Sequence, residues 1–145
     1  MTTPIRRAHR TRVLDLPHYL IAGDESSLSE VELGIATLPL CAKGRIFVEV
    51  ESADQIVLLD APPRMVVSWF VRESASGALS LPGEKISRAA AAWASEMLVE
   101  DHATGVTPGV QAWLVGSERT MDGIREVLSD SVDNASVLSA HSFQL

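Results

Sequence analysis

The chain has 145 residues, 46% of them hydrophobic, and carries 12 Lys and Arg against 19 Asp and Glu for a net charge of −7. That length suits one domain with a sizeable core, and no apolar run reaches the roughly 18 residues of a membrane span. The acidic balance argues against a nucleic-acid binder, whose affinity needs a clustered positive surface; a lone Cys41 excludes an internal disulfide, and with no apolar leader the expected compartment is the cytoplasm.

From the N-terminus, residues 1–16 form a basic arm in which Arg6, Arg7, His9, Arg10 and Arg12 lie close together. A solvated tail is the plain reading and docking of an anionic partner the sharper one. Residues 17–145 read as a single α/β domain. Short apolar runs at 19–22, 45–50, 55–59, 66–72, 110–115 and, more weakly, 136–140 are candidate strands, several of them apolar throughout, as strands covered on both faces are. Helical patterns fill 27–38, 86–98 and 119–129. The first carries Leu28, Val31, Leu33, Ile35 and Leu38 with Glu30 and Glu32 turned to water; the last carries Met121, Ile124, Val127 and Leu128 as one stripe. The Ala-rich run 88–95 predicts a helix packed closely through small residues. Strands alternating with helices imply parallel pairing and right-handed crossovers, hence a doubly wound, mainly parallel sheet of about five strands with 19–22 at its centre and helices on both faces, a Rossmann-like nucleotide-binding design.

In such a sheet, ligands bind beyond the carboxyl ends of the strands where strand order reverses. Three segments converge on that edge. Ala22-Gly23-Asp24-Glu25-Ser26 is a strand-to-helix turn: Gly23 permits a sharp bend and close approach, while Asp24, Ser26 and Ser27 are capping residues for a helix start that favours anions. Gly116-Ser117-Glu118 opens a second helix in the same manner. Arg72 stands at the end of an apolar strand, where its guanidinium would meet a ligand phosphate or pair with Glu73 or another acid; local pattern leaves both open. Other chemistry is thin. His9, His18, His102 and His141 are dispersed, with neither i, i+4 pairing nor Cys partners, so no metal site is expected. Cys41 reads as a small packed residue, and Glu49 and Glu51, on one strand face, read as solvated surface.

Four segments, 19–28, 44–50, 67–72 and 112–118, resemble in order and spacing the C-terminal domain of siderophore-interacting proteins. Those are flavin-dependent ferric-siderophore reductases, and this domain is their nicotinamide-nucleotide half, similar to the pyridine-nucleotide module of the ferredoxin reductase superfamily. The resemblance spans residues 17–138. It implies that Gly23, Asp24, Glu25 and Ser26 border the cofactor, that Arg72 meets the adenosine ribose or its 2′-phosphate, and that Gly116, Ser117 and Glu118 lie near the nicotinamide. The implied cofactor is NADPH or NADH, with FAD supplied through a partner. Trp69 and Trp113 match aromatic positions of the pattern but lie within apolar strands, so packing is expected of them.

Three departures stand beside the likeness. Family members carry an N-terminal flavin barrel, whereas only sixteen residues precede the domain here; the proline usual in the first helix is Ser29; and of the aromatic, arginine-rich tail only His141 and Phe143 remain as counterparts. The expectation is therefore an NAD(P)H-binding module acting with a separate flavin or flavin-binding protein on a ferric siderophore. The alternative is a non-catalytic binding or regulatory module derived from that domain. A cleft no barrel covers leaves apolar surface for a partner or a second copy in a homo-oligomer.

Overall fold

A computed structural model describes residues 17–97, 109–131 and 135–139. The basic arm and the tail with His141 and Phe143 lie outside these residues. Strands β1 (His18–Asp24), β2 (Lys43–Val50), β3 (Arg64–Val71), β4 (Val110–Leu114) and β5 (Ala135–Ser139) form one sheet in the order β3-β2-β1-β4-β5, every neighbouring pair parallel. Helices α1 (Leu28–Ala36), α2 (Glu84–Met97) and α3 (Glu118–Ser131) connect them. The doubly wound α/β fold expected from the sequence is present, with β1 central.

Alternation along the strands sorts the core into two layers. Leu20 and Ala22 of β1, Phe47 of β2 and Ala112 and Leu114 of β4 pack against Ile86, Ala90, Trp93 and Ala94 of α2 and Met121, Ile124 and Leu128 of α3. On the other face, Ile21, Ile46, Val48, Val50 and Val115 pack against Val31 and Ile35 of α1. The small side chains of Ala90 and Ala94 are buried, so α2 lies close on the sheet as its alanine run suggested. Trp113 is half-buried against the α1 layer and its indole Nε1–H donates to the Glu30 carbonyl at 3.1 Å, above Gly34, where an added Cβ would meet the ring at 2.6 Å.

Three local expectations fail for physical reasons. Residues 55–59 are not a strand: a 3-10 turn at Ala53–Gln55 is capped by Ser52, the Gln55 side chain accepts from the Glu51 and Ser52 amides, and the chain then runs as a connection into β3. Leu59 is buried beside the α1 layer, but Ile56, Val57 and Leu58 are exposed, and Pro62 and Pro63 have no amide hydrogen to continue a ladder. Leu33 is 59% exposed on the outer side of α1. Cys41, expected to be packed, is a free exposed thiol in the turn between α1 and β2.

The central strand and its neighbour β2 carry two testable consequences. At Gly44 a Cβ would lie 1.8 Å from the Tyr19 carbonyl oxygen, across the β1–β2 pair, so Gly44→Ala should lower the urea midpoint strongly, by about 2 kcal/mol or more of stability. His18 sits edge-on to Trp93; burial, followed by the charge of Lys43, holds its imidazole pKa below the ordinary value. Because the unfolded chain binds that proton more readily, the contribution is complete above the unfolded pKa of about 6.5 and is lost as pH falls through the folded value. His18→Gln should flatten stability against pH below 6.5 in denaturation series, and an unchanged profile would show that His18 does not carry it.

Candidate functional site

The chain runs outward from β1 through β2 to β3, then returns to β4 on the other side of β1, so strand order reverses between β1 and β4. Asp24 ends β1 at that point, 6% exposed, with its carboxylate spanning the gap. Oδ1 accepts from the Ser26 amide at 3.0 Å and from the Ser26 hydroxyl, capping the 3-10 turn Glu25–Ser27 that leads into α1. Oδ2 accepts from the Ser117 amide at 3.0 Å, at the mouth of α3. Gly116 makes this possible: its φ is +115°, and a Cβ would stand 2.6 Å from Oδ2. Ser117 in turn caps α3, its hydroxyl accepting from the Thr120 amide at 3.3 Å.

Gly23 does not make the sharp bend its sequence context suggested. It lies within β1 and is absent from the positive-φ glycines among the described residues, but a Cβ there would meet Val31 at 2.5 Å and Val115 at 2.8 Å. Its smallness lets α1 settle onto β1 and β4.

Arg72 follows β3 and remains in the ladder through its amide, which donates to the Val50 carbonyl at 2.9 Å. Its guanidinium is held by two acids. Nη1 donates to Glu49 Oε1 at 3.0 Å, and Nη2 is paired with Glu25 Oε1. Glu49 is fully buried in β2, and its Oε1 also accepts from the Gly83 amide at 2.9 Å, tying the entry of α2 to the sheet edge. The second oxygens of Glu25 and Glu49 are buried without a hydrogen-bond partner among the described residues. Burial alone would lower the Arg72 pKa, but the hydrogen bonds and charges of Glu25 and Glu49 outweigh it and hold the pKa above the ordinary arginine value. Nearby, Lys85 Nζ donates to the Val71 carbonyl at 2.6 Å.

The eight site residues expected from the sequence, Gly23, Asp24, Glu25, Ser26, Arg72, Gly116, Ser117 and Glu118, lie at one carboxyl edge, joined by direct contacts or as chain neighbours. Glu118, exposed, is the first residue of α3. Arg72 takes the ion-pair alternative, with Glu25 and Glu49 rather than Glu73. Glu49, which reads as surface in the sequence, is buried and paired here. The available signal was its spacing: two residues after Phe47 it shares that face of the strand, beneath the start of α2, where no charge belongs unpaired. No group of three or more metal-ligating side chains occurs among the described residues, and none of their helices is long and apolar enough to cross a membrane.

The model of the siderophore-interacting protein family matches residues 16–140. The chain belongs to this family. It is similar to an uncharacterized protein of Mycobacterium tuberculosis, 39% identical over 54 residues that make up 37% of this chain and 19% of that protein. Among solved structures it is similar to the siderophore-interacting protein SipS from Aeromonas hydrophila, with a TM-score of 0.57 and 17% identity over 84% of this chain and 49% of that one. The C-terminal domain of a Pyrococcus furiosus hydrogenase superposes with a TM-score of 0.52 and 14% identity, covering 83% of this chain and 90% of that domain. At such identities the structural matches speak for the fold alone. The chain spans about half the length of SipS, and the segment matching the mycobacterial relative is a fifth of that protein.

The buried trio yields a stability ranking. Removing Arg72 leaves Glu49 buried without its cation, so Arg72→Ala should cost about 3–5 kcal/mol, whereas Glu25→Ala removes the more exposed acid and should cost about 1 kcal/mol. Urea denaturation of the two variants checks the order; equal losses would mean that Glu49 is not held by Arg72.

Proposed function

We propose that this siderophore-interacting domain is the nicotinamide-nucleotide module of a flavin-dependent ferric-siderophore reductase system. The observation that carries the reading is the Asp24–Ser117 contact, which joins the turn leading into α1 to the start of α3 at the reversal of strand order, where nucleotide-binding sheets hold their ligand. Family membership supports it. In this reading Gly23, Asp24, Glu25 and Ser26 line one wall of the crevice, and Gly116, Ser117 and Glu118 the other.

The residues fit the uncharged parts of such a ligand better than its phosphates. Asp24 already accepts from the Ser26 and Ser117 amides, and both terminal nitrogens of Arg72 are engaged. The amides of Glu118 and Arg119 precede the first helical bond of α3, donated by the Met121 amide to the Ser117 carbonyl, and would serve one phosphate. When bound, the reduced nicotinamide supplies a hydride, and a flavin is the acceptor suited to passing single electrons on to iron. The work of this chain is to bind and orient: Asp24 fixes the two walls, and the glycine at 116 lets them meet. The same filled amides are the observation in favour of the alternative, a binding or regulatory module without redox chemistry.

The test is calorimetric titration of the flavin-free chain with NADH and NADPH, beside nicotinamide oxidation in the presence of a ferric chelate. The reading predicts a Kd within about 1 µM to 1 mM for at least one nucleotide, and oxidation that depends on added flavin or flavin protein. Rapid oxidation without flavin would refute the requirement for that cofactor. Absence of both binding and turnover would leave the non-catalytic module as the better description.

A further inference from the structure

We propose that the free edge of β3 is a self-association surface, on which a second copy of this chain adds its own β3 antiparallel about a twofold axis at Val67, making one continuous sheet. β3 is the outer strand of the order β3-β2-β1-β4-β5 and pairs with β2 alone. The Arg72 amide donates to the Val50 carbonyl, so by the two-residue repeat Val66, Ser68 and Phe70 turn their backbone groups to β2, and Val67, Trp69 and Val71 turn theirs outward. Past the strand that edge is closed. Lys85 Nζ donates to the Val71 carbonyl, and the Ser80 amide donates to the Arg72 carbonyl as residues 78–80 fold back antiparallel through the Glu73–Leu79 bridge. At the other end Met65 is held in a turn, its amide donating to the Pro62 carbonyl. Between these stops the N–H and C=O groups of Val67 and Trp69 have no partner among the described residues.

The side chains along this edge suit an apolar partner. The crossover from β2 to β3 is a 3-10 turn and an extended connection rather than a helix, and Val67, Trp69 and Val71 are only partly buried against the α1 layer. Eight large apolar side chains are well exposed among the described residues, and six of them, Ile56, Val57, Leu58, Val66, Leu79 and Leu81, lie in β3 or in the segments that lead into and out of it. An apolar edge strand with open backbone groups is a template for another strand, and natural sheets blunt it with charge or proline. Here Pro62 and Pro63 guard one end and Lys85 the other, which leaves the middle bare. Symmetry selects the occupant. The open stretch 65–69 is centred on Val67, and antiparallel pairing about that residue sets outward residues against each other, Val67 against Val67 and Met65 against Trp69 of the second copy. The same register sets Arg64, the only charge in β3, against Phe70 of the second copy, so a cation faces a ring rather than a like charge. β3 holds no acid in a chain of net charge −7, and two copies meet along it without opposing carboxylates. Such a contact closes at two copies and lies two strands from the β1–β4 reversal, so it is independent of the nucleotide reading.

Sedimentation velocity of the full chain over a concentration series reads the association, and amide exchange by NMR locates it. Wild type should pass from one copy to two as concentration rises, with exchange at Val67 and Trp69 slowing in step. Val66→Lys sets a charge on the exposed flank of the edge, and Val67→Pro removes one outward amide without touching the bonds to β2. Each should raise the dimer dissociation constant at least roughly tenfold, with circular dichroism checking the fold. In a Cys41→Ser background, Val67→Cys should form a disulfide between copies under mild oxidation, since the paired residues lie about 5.5 Å apart, whereas Leu33→Cys on the outer side of α1 should not. A wild type that stays monomeric throughout overturns the proposal, and slow exchange at Val67 and Trp69 in that monomer would place a segment of the same chain on the edge instead. A dimer that survives both folded variants is built elsewhere and overturns it too. The wild-type measurements need no variant, so a failure to fold leaves the proposal open to refutation.

Discussion

A carboxylate buried at the tip of the central strand must be satisfied, and the way Asp24 is satisfied constrains everything around it. Its two oxygens face different elements, one the turn that opens α1 and the other the amide that precedes α3. These are the connections on either side of the strand-order reversal, so one side chain sets the spacing of both walls of the crevice. Gly116 follows from that demand, because any Cβ there would occupy the space of Oδ2. Charge-assisted hydrogen bonds to an acid are worth about 1.5–3 kcal/mol each, enough to fix the two loops against each other.

Much of this was legible in the sequence. Continuous apolar runs marked β1, β2 and β4 as strands covered on both faces, and the helical spacing of Met121, Ile124 and Leu128 marked the buried side of α3. The convergence of the three loops followed from topology, since in a parallel sheet all strands end on the same edge. Elements shifted by a residue or two at their ends, as fraying and caps dictate.

What sequence did not reveal has a common physical origin. Residues 55–59 are as apolar as a strand, yet only Leu59 finds a place in the core; hydrophobicity reports what a segment can bury, while the Ser52–Gln55 cap and two prolines decide where it goes. Glu49 presents the converse case. Its charge argued for solvent, but period-two alternation put it on an inward face, and only a cation 23 residues later in the chain made that burial affordable. Gly23 turns no sharp corner, and it is small for the sake of Val31 and Val115. Long-range pairings of this kind leave no local mark.

Arg72 therefore stands between two demands that compete for the same nitrogens. As a counter-ion it neutralises the buried Glu49 and draws Glu25 inward, tying the end of β3 to β2 and to the start of α1. As a ligand for phosphate it would have to release at least one of them, and the acid it can release is the more exposed Glu25, since Glu49 has no route to water and is also bound to Gly83. The cost of freeing the guanidinium is then subtracted from any affinity it confers. A residue that resembles an anion receptor in sequence can thus act as a structural cation in the fold, its two terminal nitrogens given to the acids of β2 and of the glycine turn.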